Sequence, residues 1–343
     1  MQLAILFGGK SGEYAVSCIS AASVLENIHA EKYSILKIGI TKDGEWFKTD
    51  ASPEEIRSGA WETLPREKAI LSPDALDHGF WIFGENGPSL FSVDVIFPVM
   101  HGDFGEDGCV QGLCELAGIR YVGCGVASSA VGMDKEMAKK LFSAAGLPVA
   151  KGIAIEKDEK DTVLSRTRAS LSYPVFVKPS SAGSSLGAYK VMCEAELLSA
   201  VEGAFSHDDK VLIEEYIDAR EIECAVLGNE NAKASTLGEI VPEAEFYDYD
   251  AKYIDGTSKL LIPAPLSEEE AAEIREMAVR AFHAIGGEGF SRVDFFKDKK
   301  TGRIVLNEIN TIPGFTEISM YPKLWQASGL SYGDLIDRLI SLA

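Results

Sequence analysis

The sequence predicts an α/β protein of two or three domains, on three observations. The chain has 343 residues and is 46% apolar, enough for a large core and for more than one domain of ordinary size. The apolar segment QLAILFG, residues 2–8, runs through Gly8-Gly9-Lys10-Ser11-Gly12-Glu13 into the pattern SCISAASVLENI, which reads as a strand, a tight turn and the start of a helix. Near the other end, the short apolar segments SRVDFF and RIVLNEIN flank the polar run KDKKTG and read as a β-hairpin.

Composition narrows the function. A formal net charge of -20 argues against a nucleic-acid partner, because phosphate backbones are held by Lys and Arg. The six cysteines (Cys18, Cys109, Cys114, Cys124, Cys193, Cys224) form no C-x-x-C pair, and a chain of this size folds without disulfides, so reduced thiols are expected. No charged leader precedes Leu3, and no apolar run approaches the roughly 18 residues of a membrane span. A cytoplasmic protein with no membrane partner is therefore expected.

At the first turn, a helix start offers free amides and partial positive charge, a natural anion site, while Glu13 is either solvated or a carboxylate for a cationic group. Gly9-Lys10-Ser11 is not a Walker A motif, because the glycine required five places before the Gly-Lys pair is Ala4, inside the strand. Strands are expected around YSILKIGIT, whereas residues 51–80 carry no assignable pattern. Residues 91–99 read as one buried strand ending at His101-Gly102. Ligands collect at strand ends in α/β sheets, so His101 is a ligand contact or a packed, hydrogen-bonded histidine. Helix CVQGLCELAG and strand RYVG follow, and Gly123-Cys124-Gly125 lacks the third glycine of a dinucleotide fingerprint.

Asp134 is the expected N-cap of a helix stopped by Gly146-Leu147-Pro148. Lys135 in its first turn opposes the helix dipole, which favours a phosphate partner. Strand 174–178 and its partner 188–192 enclose Pro179-Ser180-Ser181-Ala182-Gly183-Ser184-Ser185-Leu186-Gly187. A Gly/Ser loop inside a hairpin can fold over phosphates with its amides and hydroxyls, and Lys178 at the strand end supplies charge. Helix EAELLSAVEGAF precedes strand 211–217, VLIEEYI, whose end could border an adenine slot. The run 242–260 has neither strand nor helix period; its aromatic residues, with Lys252 beside Tyr253, read as an active-site cover. Ser267 and Glu270 form a capping box for a long helix, and a last helix follows Ser331.

The C-terminal hairpin carries the chemistry. If Lys297 pairs near Ile304 or Val305, Asp294 falls opposite Asn307 or Glu308, roughly 5 Å apart at Cβ. Strand alternation puts Glu308 and Asn310 on one face, shared with Ile304 and Leu306 and so half buried. Two carboxylates that close call for a cation, and an all-oxygen set suits Mg²⁺, which completes its shell with water and nucleotide phosphates. The turn Thr311-Ile312-Pro313-Gly314 then offers amides to an anion.

Taken together, GGKSGE, HGDFGEDG, MDK, KPSSAGSSLG, EEYIDAREIE, FYDYDAKY and SRVDFF…NEINTIPGF strongly resemble the D-alanine-D-alanine ligases of the ATP-grasp superfamily, from residue 3 to the last helix. The resemblance implies a three-domain ATP-grasp fold with an N-terminal Rossmann-like domain, divided as residues 1–123, 124–213 and 214–343. ATP would be gripped between the last two. Asp294, Glu308 and Asn310 match the ligands of Mg²⁺ (or Mn²⁺). Lys135 and Lys178 match phosphate contacts, Ser184 and Ser185 lie in the phosphate loop, Glu214, Glu215, Tyr216 and Ile217 match the adenine strand, and Glu221 the ribose contact. Glu13, Ser184 and Tyr253 match the hydrogen-bonded triad that orders the first D-alanine. Arg292 and the Gly314 amide match the oxyanion site, and Ser319, Met320 and Lys252 the pocket of the second substrate.

The implied reaction joins two D-alanines through a D-alanyl phosphate, releasing ADP and phosphate, for peptidoglycan precursor synthesis. A homodimer is expected from the same resemblance. Tyr14-Ala15 follow Glu13 where the family often has a charged or histidine pair, a departure beside the first-substrate pocket. Asp250-Ala251-Lys252-Tyr253 and an apolar Met320 suit a methyl side chain, so D-alanine is favoured as second substrate over D-serine.

Overall fold

Residues 1–183, 186–241 and 259–343 are described by the computed structural model, and within them the strands form three sheets. In the first, β1 (Gln2–Gly8), β2 (Ser34–Ile40), β7 (Val95–Val99) and β8 (Arg120–Tyr121) run parallel, while β3 (Trp46–Thr49), β4 (Arg66–Leu71), β5 (Gly79–Gly84) and β6 (Gly87–Ser92) extend it as an antiparallel meander. The unassigned stretch 51–80 thus supplies a short helix α2 (Pro53–Arg57), strand β4 and the first residues of β5. The meander's outer strand β6 is exposed throughout, so no apolar run marks it.

Residues 91–99 are not one strand. β6 ends at Ser92 and β7 starts at Val95, because Asp94 accepts the Gln2 amide on its carboxylate at 2.7 Å and donates its own amide to the Gln2 carbonyl at 2.9 Å. That pairing turns the chain from the sheet edge to its centre. Helix α1 (Tyr14–Asn27) starts three residues before the expected pattern, and α3 is Cys109–Leu116. Ser17 ties α1 to the strand ends: its Oγ accepts the Gly8 amide at 2.8 Å and donates to the Val99 carbonyl at 2.5 Å.

The second sheet is antiparallel, ordered β11 (Tyr189–Val191), β10 (Val175–Pro179), β12 (Lys210–Glu215), β9 (Gly152–Glu156), with α6 (Val163–Ser170) and α7 (Glu194–Phe205). β10 and β11 pair as the sequence predicts, and β12 crosses the expected boundary at 213/214. The third sheet is ordered β15 (Lys259–Leu261), β14 (Lys233–Val241), β13 (Ala219–Leu227), β16 (Phe290–Asp298), β17 (Ile304–Asn310). Helix α8 (Glu268–Ala284) covers one face of it and starts at the expected Ser267/Glu270 capping box; α9 (Met320–Ala327) and α10 (Tyr332–Leu342) follow.

Phe315 joins the first sheet to the C-terminal part. It is 1% exposed and packs on Phe97, Phe290, Tyr321 and Tyr332, with centroids 6.1, 5.7, 5.5 and 6.1 Å away. Aromatic contacts of this kind add about 0.5–1.5 kcal/mol each beyond area burial, so the turn before Phe315 is held rigidly. Among the described residues no helix is long and apolar enough to cross a membrane.

In chain order between the first two sheets, α4 (Val126–Met133) and α5 (Lys135–Ala144) abut at Asp134. Asp134 caps α5 by accepting the Glu136 and Met137 amides, both at 3.1 Å, and also accepts from Ser180 Oγ at 2.7 Å and Lys210 Nζ at 2.5 Å. Burial pushes its carboxyl up, but Lys210, Ser180 and the Met137 amide outweigh that and hold it below the ordinary 3.8. A carboxyl lowered on folding stabilises the fold above its unfolded pKa, and that contribution is lost as pH falls through the folded value. Asp134→Ala is expected to cost about 1–3 kcal/mol at pH 7 and less at pH 3. Urea melts at the two pH values check this; equal losses at both would show that the carboxylate charge is not what matters.

Candidate active site

The β16-β17 hairpin pairs Lys297 with Ile304 and Asp294 with Glu308, with a register shift between Asp294 and Phe295. Of the two registers open to the sequence, the one with Glu308 opposite Asp294 is adopted, and Asn307 is the extra, bulged residue. The bulge also corrects the expected face. Leu306 and Ile309 both lie in the core cluster with Val293 and Phe295, and Ile304 packs against it, while Glu308 and Asn310 line the cleft. One inserted residue reverses the alternation.

That cleft has a volume of about 820 Å³ and draws its walls from the second and third sheets and from the segments that follow strands β1 and β7 of the first. Arg292 forks onto Asp294, donating Nε to Oδ1 and Nη2 to Oδ2, each at 2.7 Å. Its Nε also lies 3.1 Å from Glu223 Oε2, which β13 carries directly opposite Asp294. Asn310 Nδ2 donates to Asp294 Oδ2 at 3.0 Å. Asp294, Glu308 and Asn310 therefore gather at one spot with three side-chain oxygen donors, the set a hard divalent cation takes.

Helix α5 and the second sheet present cations to this spot. Lys135 Nζ donates to the Ala182 carbonyl at 2.8 Å and lies 3.9 Å from Glu308 Oε2. Lys178 Nζ is 3.2 Å from Asn307 Oδ1 and 3.1 Å from Glu214 Oε2. Glu214 is buried, and its other oxygen, Oε1, lies 2.6 Å from Lys139 Nζ. Burial pushes the Glu214 carboxyl up, and the two lysines more than reverse it, holding it below the usual carboxylate range. Burial lowers Lys139, with Glu214 opposing.

At the end of β12, Glu215 Oε1 accepts the Lys151 amide at 2.9 Å and pairs with Arg303 Nη2 at 2.9 Å. The Tyr216 ring lies 4.3 Å from Lys190 Nζ, and Tyr216, Ile217 and Glu221 line the cleft beyond the strand.

The opposite end of the cleft is built by the first sheet and the turn after β17. His101 is buried, and its Nε2 lies 3.0 Å from Ser20 Oγ while Nδ1 lies 3.1 Å from the Ile312 carbonyl and 3.4 Å from Glu106 Oε1. Ser20 Oγ also accepts the Phe315 amide at 3.2 Å, so helix α1 and the turn 312–315 meet through one histidine. Burial disfavours the imidazolium, but Glu106, Glu13 and the Ile312 carbonyl outweigh it and raise the His101 pKa. Glu13 lines the same end, while Tyr14 points away, donating its hydroxyl to Glu62 and accepting Trp61 Nε1 at 3.0 Å. Tyr14 of the Tyr14-Ala15 departure is thus held by Trp61 and Glu62, residues of the helical turn 60–63 in the stretch the sequence left unassigned.

Gly314 sits under Ser319, where an added Cβ would lie 2.8 Å from Ser319 Oγ. Ser319 Oγ accepts the Thr316 amide at 3.0 Å. Met320 is buried against β14, its Sδ 2.5 Å from where a Cβ on Gly238 would be. Ser184, Ser185, Lys252 and Tyr253 lie outside the described residues. The sequence reading missed Glu106, Lys139 and Glu223, and named Asn307 only as an alternative residue opposite Asp294. Glu223 could have been found, since Glu221-x-Glu223 alternates onto one face of a strand, and Lys139 follows Lys135 at helical spacing.

Comparison with known proteins bears on this arrangement. Residues 2–124 match the family model described as D-ala D-ala ligase N-terminus, and residues 141–341 match D-ala D-ala ligase C-terminus. The D-alanine--D-alanine ligase of Acetivibrio thermocellus is 50% identical, covering 99% of this chain and 94% of its own, and that of Ruminiclostridium cellulolyticum is 50% identical over 100% and 95%. Among solved structures, the VanG D-Ala:D-Ser ligase from Enterococcus faecalis has a TM-score of 0.92 at 42% identity, covering 99% of this chain and 98% of that one. The D-alanine-D-alanine ligase from Coxiella burnetii has a TM-score of 0.85 at 36% identity, covering 100% and 93%. With both halves matched in order and half of all positions shared along the full length, the chain belongs to the D-alanine-D-alanine ligase family.

Proposed function

We propose that this cleft joins two molecules of D-alanine at the expense of ATP, through a D-alanyl phosphate, in peptidoglycan precursor synthesis. The observation that carries the reading is the facing of Asp294, Glu308 and Asn310 on the third sheet with Lys135 and Lys178 on the elements opposite, across a cleft of about 820 Å³. An oxygen-donor set across from two lysines suits a metal-bound polyphosphate.

Asp294, Glu308 and Asn310 would hold Mg²⁺ or Mn²⁺, which when bound supplies charge neutralisation at the transferring phosphoryl group. Lys135 and Lys178 bind phosphate oxygens, and the end of β12 with Glu221 seats the nucleoside. Glu13 orients the first D-alanine, whose carboxylate oxygen bonds to the γ-phosphorus as the bond to the ADP oxygen breaks. The amine of the second D-alanine then attacks the acyl carbon and phosphate leaves. Arg292 and the Gly314 amide stabilise the oxyanion of that step, and His101, with Ser20, holds the turn that carries Gly314. A homodimer is taken from the family resemblance; light scattering at working concentration tests it.

Phosphate release from Mg²⁺-ATP, with mass spectrometry of the product, tests the reading. D-Alanine alone is expected to give D-alanyl-D-alanine. Dominance of a mixed D-alanine-D-serine product from both amino acids would move the second-substrate assignment to D-serine, for which the VanG D-Ala:D-Ser ligase is named. No turnover with any D-amino acid would overturn the substrate.

Met320 is the proposed selector for the methyl group of the second substrate. Gly238→Ala would drive its Cβ to within 2.5 Å of the Met320 sulfur, so the flexible side chain must move. A displacement of methylene size in a pocket changes discrimination about tenfold or more. The D-alanine KM for the second site is expected to rise by about that factor with the ATP KM unchanged. A D-alanine KM equal to wild type would remove Met320 from the pocket's selective wall.

A further inference from the structure

Two buried lysines share one buried carboxylate at the edge of the cleft. Lys139, Lys178 and Glu214 are 8, 8 and 4% exposed, and Glu214 gives one oxygen to each lysine, at 2.6 Å to Lys139 and 3.1 Å to Lys178. Burying an ion is costly unless it is paired, and among these three side chains the cations outnumber the anion by one, with Glu308, beside Lys135, the next carboxylate to act on Lys139. Of the three, Lys178 and Glu214 line the cleft and Lys139 does not. The shorter contact goes to the lysine that does not line the cleft.

The nearby fold holds this order. Lys139 is carried on α5, one turn after Lys135, and Glu214 on β12 beside β10, whose Lys178 reaches across to the Asn307 bulge of the third sheet. Asn307 offers Lys178 a neutral carbonyl oxygen at 3.2 Å, which orients the ammonium without cancelling its charge.

We propose that Lys139 is a positioning residue for nucleotide binding: by sharing Glu214 with Lys178 it leaves the two lysines one positive charge in excess, so that Lys178 is available to a phosphate of ATP. Without Lys139, Glu214 has Lys178 as its nearest cation, and the two neutralise each other inside the protein. The anion that completes the cluster is then no longer needed, and the phosphate loses its partner. The inference rests on the reading of this cleft as the ATP site.

The test uses the full-length enzyme and steady-state kinetics in ATP and in D-alanine, with Lys139→Met, Lys139→Arg, Glu214→Gln and the Lys139→Met/Glu214→Gln double variant. Lys139→Met is expected to raise the KM for ATP at least about tenfold while the KM for D-alanine moves less than about twofold. Lys139→Arg, which keeps the charge, restores most of the loss. In the Glu214→Gln background there is no carboxylate to neutralise Lys178, so adding Lys139→Met changes the ATP KM by less than about twofold.

If Lys139→Met raises the ATP KM equally in both backgrounds, or loosens ATP and D-alanine alike, Lys139 acts through packing and the proposal falls. An unchanged ATP KM would also overturn it. Should Lys139→Met fail to fold, Lys139→Gln carries the same comparison with a polar, uncharged side chain. Wild-type turnover of ATP with D-alanine is the control for the underlying reading, so its failure is distinguishable from failure of the Lys139 assignment.

Discussion

Glu308→Gln is expected to lower phosphate release by about 10³-fold at saturating ATP and ordinary Mg²⁺, with partial recovery as Mg²⁺ is raised. Glu308 faces Asp294 directly across the hairpin, and Lys135 Nζ lies 3.9 Å from its Oε2. Glutamine has the same shape, so strand pairing and the core beneath, which is built by Leu306 and Ile309, are left intact. What is lost is one of two negative charges in a three-donor site, and hard cations depend on charge count for affinity. Phosphate release as a function of Mg²⁺, together with a thermal melt, separates site from fold. A loss below tenfold with an unshifted Mg²⁺ dependence would remove Glu308 from the metal site.

Arg292→Ala is expected to lower kcat by about 10²–10³ while the ATP KM stays within about threefold, the loss typical of a removed oxyanion donor. The structure supplies the physical reason. Arg292 is held at both ends of its fork by Asp294 and lies against Glu223, so its donors are oriented before substrate arrives. Removing it also takes a cation away from Asp294, which tends to strengthen metal binding and so works against any apparent loss in ATP affinity. Arg292→Lys should recover little, because a point charge does not reproduce the planar fork. Steady-state kinetics in ATP and D-alanine decide this; equal losses in kcat and ATP affinity would assign Arg292 to nucleotide binding instead.

Much of the site was legible because its signals are local. The hairpin follows from alternation on either side of KDKKTG, and the caps at Asp134 and Ser267 follow from side chains that bond amides two or three residues away. The meander of β3 to β6 was not legible, since its strands pair with partners the pattern does not name and its edge strand, residues 87–92, is exposed. The bulge at Asn307 was equally hidden, because a register is a property of two strands and one residue more or less reverses every face.

By itself the sequence determined the chemistry: which carboxylates, lysines and arginine are present, on which strands and turns, and hence the family and its reaction class. Only the tertiary structure decided which charges meet. Asp294 is claimed by Arg292 and Asn310, Glu214 by Lys139 and Lys178, and His101 joins helix α1 to the turn bearing Gly314. These pairings depend on burial and distance between segments far apart in the chain, and in a low-dielectric interior a shift of a few ångströms changes both the attraction and the desolvation cost. No local pattern carries that information.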